Sequence, residues 1–170
     1  MGRREGPDVQ RLEHMAAEYS QEVANYLRRR LYPLSPSDLD DLVEEVFVVA
    51  WRRLDAVPHD AELPWLIGVA RNVLNNARRS HGRRANFVAT LSPAPDVASA
   101  EAHVVADEAV RGALESLAEA DREILLLHFW DGLSADQLAT VFSITTNAAA
   151  VRLSRAQGRF KEAMNASEGV

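Results

Sequence analysis

Apolar residues recur at three- and four-residue spacing along almost the whole chain, and no stretch shows the strict alternation that is typical of a strand. This spacing places the apolar side chains on one face of an α-helix, which is then buried against other helices. The periodicity is lost between residues 81 and 104, where small and turn-forming residues accumulate. The sequence therefore predicts an all-α chain with two small helical domains, at 9–80 and 105–164, joined by a flexible linker at 81–104.

Composition excludes several classes of function. The chain has 170 residues and no cysteine, so disulfides, thiolate metal sites and thiol redox chemistry are excluded. No apolar run approaches the ~20 residues of a membrane span and no signal peptide is present, which predicts a cytoplasmic protein with no membrane contact of its own. The five histidines show no metal-ligand spacing, and the eight glycines form no phosphate-binding loop. We expect neither an enzyme nor a bound metal or other cofactor.

The charged residues are unevenly distributed. The formal net charge is −6, which by itself argues against nucleic-acid binding. However, no acidic residue occurs at 69–95 or at 143–161, and each of these stretches contains several arginines, whereas an acidic cluster lies at 38–45. Arginines clustered away from acidic residues are the electrostatic pattern of a nucleic-acid contact, so the distribution favours DNA binding.

The second domain contains the pattern of a helix-turn-helix. The motif Ser134-Ala-Asp-Gln137 predicts a capping box at the start of a short helix that ends at Phe142. After a break at 143–146 a longer helix follows, with apolar residues on one face and arginines on the adjacent edge. Arginine can bind phosphate or the O6/N7 edge of guanine, although solvation of an ordinary amphipathic helix is the alternative. The residues expected to contact DNA are Thr145, Thr146, Asn147, Ala148, Val151, Arg152, Arg155 and Arg159.

A second candidate face lies on the helix that begins near Pro64. Arginines and asparagines occupy the side opposite its apolar stripe, with no acidic residue among them. The asparagine side chain has both a donor and an acceptor, as reading a base edge requires. The face predicts phosphate contacts by arginine and base contacts by asparagine, and the alternative is a polar face of chance composition. Its residues are Arg71, Asn72, Asn75, Asn76, Arg78 and Arg79.

The predicted helix at 38–54, for which Ser37 is the expected N-cap, carries apolar residues within its charged side. Val48 lies among charged residues there, with Val49 and Trp51 at the flanks. Such an arrangement indicates a protein contact, and burial inside a three-helix bundle is an equally good interpretation of the spacing.

These segments, in this order, resemble the extracytoplasmic-function (ECF) sigma factors of the sigma-70 family. Asp-Leu-Asp-Asp-Leu-Val-Glu-Glu and the residues that follow, at 38–51, are similar to region 2.2. Residues 63–79, which begin Leu-Pro-Trp-Leu-Ile-Gly-Val-Ala-Arg-Asn, resemble regions 2.3 and 2.4, and residues 117–156 resemble region 4. The resemblance implies that the domain at 9–80 binds core RNA polymerase and recognises the −10 promoter element, and that the domain at 105–164 recognises the −35 element.

The resemblance also implies partners and the roles of single residues. It predicts a monomer that binds the clamp helices and flap of core RNA polymerase, promoter DNA and an anti-sigma factor. Asn72 falls at the asparagine of the pocket that holds a flipped −10 base, and Arg152 and Arg155 fall at the arginines of the Arg-Leu-x-Arg-Ala ending of region 4. Ala150 stands where a basic residue often contacts DNA. The residues expected to bind core polymerase are Asp38, Asp41, Leu42, Glu45, Val48, Trp51 and Arg52.

The alternative is a sigma-like regulator that does not initiate transcription. Such a protein would sequester an anti-sigma factor or act as an ordinary helix-turn-helix binder. The intact Arg/Asn face argues against pure mimicry, and a conventional repressor would not need the helix at 38–54. Whether promoter recognition requires core polymerase separates the two interpretations.

Overall fold

The computed structural model describes residues 6–89 and 108–168, and the chain divides into two compact units, residues 1–100 and 101–170. The described residues form helices and no strand, which confirms the predicted all-α class. No helix among them is long and apolar enough to cross a membrane. The α-helices of the described ranges are α1 Gly6–Arg29, α2 Leu39–Arg52, α3 Glu62–Ala89, α4 Glu108–Ser116, α5 Glu119–Phe129, α6 Ala135–Phe142 and α7 Thr146–Glu168, with short 3-10 helices at Pro36–Asp38 and Leu54–Ala56.

The first unit is built on three helices that pack pairwise. Each of α1, α2 and α3 contacts the other two, and the predicted apolar stripes form the core between them. At one end, the guanidinium of Arg11 donates to Glu62 Oε1 at 3.0 and 3.1 Å and to the Val57 carbonyl at 2.9 Å, which ties α1 to the start of α3. The buried apolar side chains are Met15, Val23, Tyr26, Leu27, Leu31, Leu42, Val46, Ala50, Leu54, Val57, Leu66, Ile67, Val69, Ala70, Val73 and Leu74.

The start of α2 differs from the prediction. Ser35, and not Ser37, is the N-cap of the 3-10 helix Pro36–Asp38 that leads into α2. The Ser35 hydroxyl accepts from the Ser37 backbone N–H at 3.4 Å, and the Asp38 carboxylate accepts from the Ser35 backbone N–H at 2.8 Å. Pro36 has no backbone N–H, so it fits a first helical position that needs no hydrogen-bond partner.

Helix α3 is longer than predicted. The sequence predicts that the domain ends at residue 80, yet α3 continues to Ala89 and overlaps the predicted linker at 81–104. Gly82 costs a helix interior only about 1 kcal/mol relative to alanine, and the following Arg83 and Arg84 are good helix formers, so the helix propagates through this position. Residues 90–104 of the predicted linker lie outside the described residues. Helices α1 and α7 also extend past the predicted outer limits at 9 and 164.

In the second unit, α7 packs against α4, α5 and α6. The predicted capping box of α6 is confirmed: Ser134 Oγ accepts from the Gln137 backbone N–H at 3.3 Å, and Gln137 Oε1 accepts from the Ser134 backbone N–H at 2.9 Å. The predicted apolar face of α7 is also confirmed as the packed face, with its first three members buried and the last two half-buried. These residues are Ala149, Leu153, Ala156, Phe160 and Met164.

The turn between α6 and α7 is closed by a serine in the left-handed region. Ser143 has φ 53° and ψ 46°. Its backbone N–H donates to the Thr140 carbonyl at 3.3 Å, and the Ile144 N–H donates to the Ala139 carbonyl at 3.0 Å, which satisfies carbonyls at the end of α6. A residue with a Cβ atom is strained in this conformation, and glycine is not.

We therefore expect Ser143→Gly to raise the free energy of unfolding of the second unit by about 1 kcal/mol. Ser143→Ala is the matched control, since it removes the hydroxyl but keeps the Cβ atom, and it should give no stabilisation. Urea unfolding followed by far-UV circular dichroism measures both variants. Equal stabilisation by glycine and alanine would show that the hydroxyl, and not the left-handed backbone, is the source of strain.

Candidate nucleic-acid interface

The exposed face of α3 carries two asparagines and an arginine. On a wheel of about 100° per residue, Asn72, Asn76 and Arg79 lie within about 60° of one another, opposite the buried stripe. All three are exposed. Arg79 Nη2 donates to Asn76 Oδ1 at 2.6 Å, which fixes the orientation of that amide and leaves its two N–H donors for another partner. The face therefore combines a positive charge with oriented amide donors.

Arg78 has an intramolecular role instead of the predicted place on this face. Its side chain is half-buried beside the core stripe. Its Nε donates to the Tyr32 carbonyl at 3.1 Å, and its Nη2 donates to the carbonyl of the buried Arg30. Both carbonyls follow the end of α1, so Arg78 holds this part of the backbone on α3. Arg71 and Asn75 are half-buried at the same edge, and the predicted residues that are exposed are Asn72, Asn76 and Arg79.

We expect Arg78→Ala to lower the free energy of unfolding by about 1–2 kcal/mol, because it leaves backbone carbonyls in a partly buried site without their donor. Arg79→Ala is the matched control: it removes the same charge from the neighbouring exposed position and should change stability by less than about 0.5 kcal/mol. Chemical denaturation of the two variants provides the comparison. If both variants unfold at the same denaturant concentration as the unmodified chain, the Arg78 contacts do not stabilise the unit.

The start of α7 is occupied by polar residues that are exposed and also hold the turn. Thr145 Oγ1 accepts from the Ala148 backbone N–H at 3.2 Å and caps the helix. Thr146 Oγ1 donates to Asp136 Oδ1 at 2.8 Å and joins α7 to the first turn of α6. Asn147 is exposed in the first turn of α7. This geometry confirms a helix-turn-helix whose second helix presents its N-terminal residues to solvent.

The three arginines of α7 are not equivalent. Arg152 donates to the Ala120 carbonyl at 3.2 Å and lies over the ring of Phe142, 4.5 Å from its centroid. Arg159 Nη1 contacts Oδ2 of Asp121 at 2.6 Å, and this carboxylate is buried at the start of α5.

These two arginines lie on the wheel next to the packed face of α7, where α5 is within reach. Arg155 lies about 40–60° further round and is exposed. Arg155 is exposed on the same side of α7 as Ala148 and Val151, whereas Arg159, although exposed, is paired with Asp121. Arg152 and Arg159 both contact α5 and so attach α7 to it.

We expect Asp121→Ala and Arg159→Ala to be coupled by about 1 kcal/mol in a double-mutant cycle of unfolding free energies. The value is modest because the Arg159 side chain is 56% exposed and partly solvated. The cycle of Asp121→Ala with Arg155→Ala is the control and should give additive effects. Coupling of the same size in both cycles would mean that the ion pair contributes nothing specific.

The predicted protein-contact residues of α2 fall into an exposed group and an inward group. Asp41, Glu45, Val48 and Arg52 form one exposed stripe, with Val48 37% exposed among the charges. Leu42, which was expected at this contact, is a core residue with 5% exposure because its position points about 100° away from Asp41. Two further members turn partly inward: the Asp38 carboxylate belongs to the capping box, and Trp51 is half-buried.

An aromatic pair at the end of α5 was not predicted as a surface feature. Phe129 is 68% exposed and Trp130 is 43% exposed. They immediately precede the dipeptide Asp131-Gly132, and the φ of 72° at Gly132 ends the helical path and turns the chain toward α6. The sequence signal that could have revealed this surface pair is two aromatic residues directly before an Asp-Gly turn. Within residues 6–89 and 108–168, no group of three or more His, Cys, Asp or Glu residues could hold a metal ion.

Comparison with known proteins finds a matching family model for each of the two units. Residues 15–84 match the model of "Sigma-70 region 2", and residues 107–157 match that of "Sigma-70, region 4". The chain is 31% identical over 152 residues to the ECF RNA polymerase sigma factor SigD of Mycobacterium tuberculosis, which covers 82% of this chain and 70% of SigD.

A probable RNA polymerase sigma factor of Xanthomonas campestris, RfaY, is 34% identical over 128 residues, and the chain spans 32% of its length. The fold is also that of the sigma factor RpoE of Bartonella quintana, solved in complex with the anti-sigma factor NepR. The TM-score is 0.59 at 19% identity, over 90% of this chain and 96% of that one.

Two helical units, one carrying an acid-free Arg/Asn helix face and the other a helix-turn-helix, define a DNA-binding transcription protein. The chain belongs to the sigma-70 family, in its ECF group, and is an RNA polymerase sigma factor. Sigma factors are transcription initiation factors and not enzymes.

Proposed function

We propose that this sigma factor binds core RNA polymerase through the exposed stripe of α2, reads the −10 element through α3 and reads the −35 element through α6 and α7. The acid-free face of α3, on which Asn72 and Asn76 stand in line with Arg79, carries the proposal. A helix that was merely solvated would mix both charge signs on its exposed face.

On α3 the proposed division of labour follows from side-chain chemistry. Arg79 binds a phosphate, while Asn72 and Asn76 offer amide donors and acceptors to the edges of unstacked bases. Extruding a base from the duplex costs a few kcal/mol, and contacts in the pocket offset this cost. The resemblance assigns the flipped base to Asn72, and its exposure leaves it accessible for that role. Arg71 and Asn75 act from the edge of the same face.

On α7 the proposed reader of the −35 duplex is Arg155, supported by the exposed residues around it. Arg155 can bind guanine with two hydrogen bonds or a phosphate with its fork. Ala148 and Val151 offer apolar contacts to thymine methyl groups, and Asn147 with the threonines before it lies near the backbone. Ala150 provides no charge, so Arg155 supplies most of the electrostatic contact of this helix.

The proposed contacts with protein partners are made by exposed apolar residues. Val48, between the charges of α2, is the proposed centre of the contact with the clamp helices of core polymerase, because an apolar side chain within a charged face favours a protein contact. The exposed pair Phe129 and Trp130 is the proposed contact with the flap. An anti-sigma factor is expected to cover these surfaces, as the Bartonella relative is bound by NepR. The protein then acts as a cytoplasmic monomer.

Run-off transcription with core polymerase from a high-GC bacterium tests the proposal. The templates are genomic fragments that include the region upstream of this gene. We expect defined transcripts only when the protein is added. We also expect Asn72→Ala to reduce the preference for the mapped −10 element over an altered one by about 5- to 150-fold, corresponding to about 1–3 kcal/mol.

The matched control is Asn165→Ala, which removes an exposed asparagine near the end of α7 and should leave the −10 preference unchanged. Binding of both variants to core polymerase should equal that of the unmodified protein. Failure of the unmodified protein to bind core polymerase would overturn the proposal. Binding to core without any transcript would support the sigma-like regulator instead.

A further inference from the structure

Arg79 is hydrogen-bonded to one of the two asparagines that share its face of α3. Its Nη2 donates to Asn76 Oδ1 at 2.6 Å, and both side chains are exposed. Side chains three residues apart are neighbours on a helix surface, so the helix itself brings the guanidinium to this amide. Asn72 lies on the same face, but it is about two turns from Arg79. The contact therefore distinguishes two asparagines that are otherwise alike in type and exposure.

The same pairing recurs on α1. There Arg28 Nη1 donates to Asn25 Oδ1 at 2.7 Å, with the same spacing of three residues. Gln21 Nε2 donates to the same oxygen at 3.0 Å, which shows that a neutral amide can make this contact as well. On α3 no acidic residue occurs from 69 to 95, so no carboxylate on the neighbouring turns competes with Asn76 for Arg79.

The hydrogen bond decides which end of the Asn76 amide is offered to a base. An asparagine that is free to turn presents either its oxygen or its nitrogen, and it can pair with adenine through both. In Asn76 the oxygen already accepts from a charged donor. Turning the amide over would break this bond and set Nδ2 against the guanidinium, donor against donor. The end that is left for a base is therefore Nδ2, which only donates.

A group that only donates selects a base by the oxygen or the amino group at its edge. Guanine presents O6 and N7 as acceptors, and thymine presents O4. Adenine and cytosine carry an amino group at the corresponding position, and this group would meet Nδ2 donor against donor. In a contact from which water is excluded, two donors that face each other lose their acceptors, and this costs free energy.

We propose that Arg79 is a positioning residue: it holds the Asn76 amide so that this asparagine prefers guanine or thymine to adenine or cytosine at its position in the −10 element. The inference rests on the proposed function of α3. The remaining N–H donors of the guanidinium can bind a phosphate at the same time, so positioning and phosphate binding are compatible roles of one side chain.

The test uses holoenzyme on promoter fragments whose −10 element, mapped by run-off transcription, is held open by mismatches. On such fragments one unstacked base can be exchanged without changing any base pair. The position read by Asn76 is the one at which Asn76→Ala loses discrimination. There we expect the unmodified protein to prefer uracil to cytosine, and hypoxanthine to adenine, by about 5-fold or more. Within each pair an oxygen replaces an amino group on the same ring.

Two substitutions of Arg79 separate positioning from charge. Arg79→Ala should reduce the preference to about 2-fold or less, because an amide that is free to turn can offer its oxygen to an amino group. Arg79→Gln should keep most of the preference, since a glutamine amide makes the equivalent contact in α1. It should nevertheless lower the slope of log affinity against log salt by about 0.9, as expected for the loss of one phosphate contact.

Two further variants complete the test. Asn76→Asp should reverse the preference toward cytosine and adenine, because a carboxylate only accepts. Arg28→Ala is the matched control: it removes an equal charge and breaks the Arg–Asn bond of α1, and it should leave the base preference unchanged. Circular dichroism should show the same helix content for the Arg79 and Arg28 variants, because both arginines are exposed.

The outcomes distinguish the inference from the function on which it rests. If Arg79→Ala keeps the preference, or Arg79→Gln loses as much of it as Arg79→Ala, the positioning role is overturned and the proposed function stands. A preference of the unmodified protein for amino bases, or a lack of discrimination that depends on Asn76, also overturns the inference. If the unmodified holoenzyme binds none of the fragments, both the function and the inference fall.

Discussion

The burial of one stripe along α3 is the contact on which the rest of the first unit depends. Leu66, Ala70 and Leu74 are almost completely buried in the three-helix core, and this fixes the rotation of α3 about its own axis. Since each residue advances about 100° around the helix, the same burial determines which side chains face solvent. The exposure of Asn72 and Asn76 is therefore a consequence of core packing. A change in the core that rotated α3 would displace its exposed face together with its apolar stripe.

Arginine performs two tasks in this molecule, and its angular position on the helix decides between them. Arg78 and Arg159 lie beside a buried stripe, where a backbone carbonyl or a buried carboxylate is within reach. Arg79 and Arg155 lie further round and are exposed. The guanidinium has five N–H donors, so it can satisfy carbonyls near helix ends that have no partner within their own helix. The arginine content of a basic helix therefore overestimates the charge that it can offer to DNA.

The features that could be predicted from the sequence are those set by short-range spacing. The capping box at Ser134 and the buried face of α7 depend on residues three or four apart, and the structure has both. The contacts that were missed depend on distant parts of the chain: Arg78 meets a carbonyl 46 residues away, and Arg159 meets a carboxylate 38 residues away. A single sequence does not show which distant group packs within reach.

The end of α3 could not be predicted for a different reason: the helix penalty of Gly82 is small compared with the propagation of an established helix. Leu42 was placed at a surface by resemblance to a motif, although its own spacing puts it in the core.

The overall negative charge of the chain has a consequence for how it engages DNA. A protein with net charge −6 gains little long-range attraction to a polyanion, and at physiological salt charges more than about 8 Å apart are largely screened. On the proposed assignment, binding comes from close contacts on the exposed faces of α3 and α7, and several arginines beside these faces, Arg78, Arg152 and Arg159, make contacts within the protein.

On the proposed assignment, a handful of phosphate contacts is too few to hold a promoter tightly, because each contributes only about one unit of salt slope. Attachment to a large partner that itself holds DNA compensates for the small number of phosphate contacts, since the exposed faces of α3 and α7 then meet the promoter at high effective concentration. On this assignment, the acidic surplus and the need for core polymerase follow from one charge distribution. We expect the isolated chain to bind DNA weakly, and its basic faces to contact the promoter where core polymerase positions them.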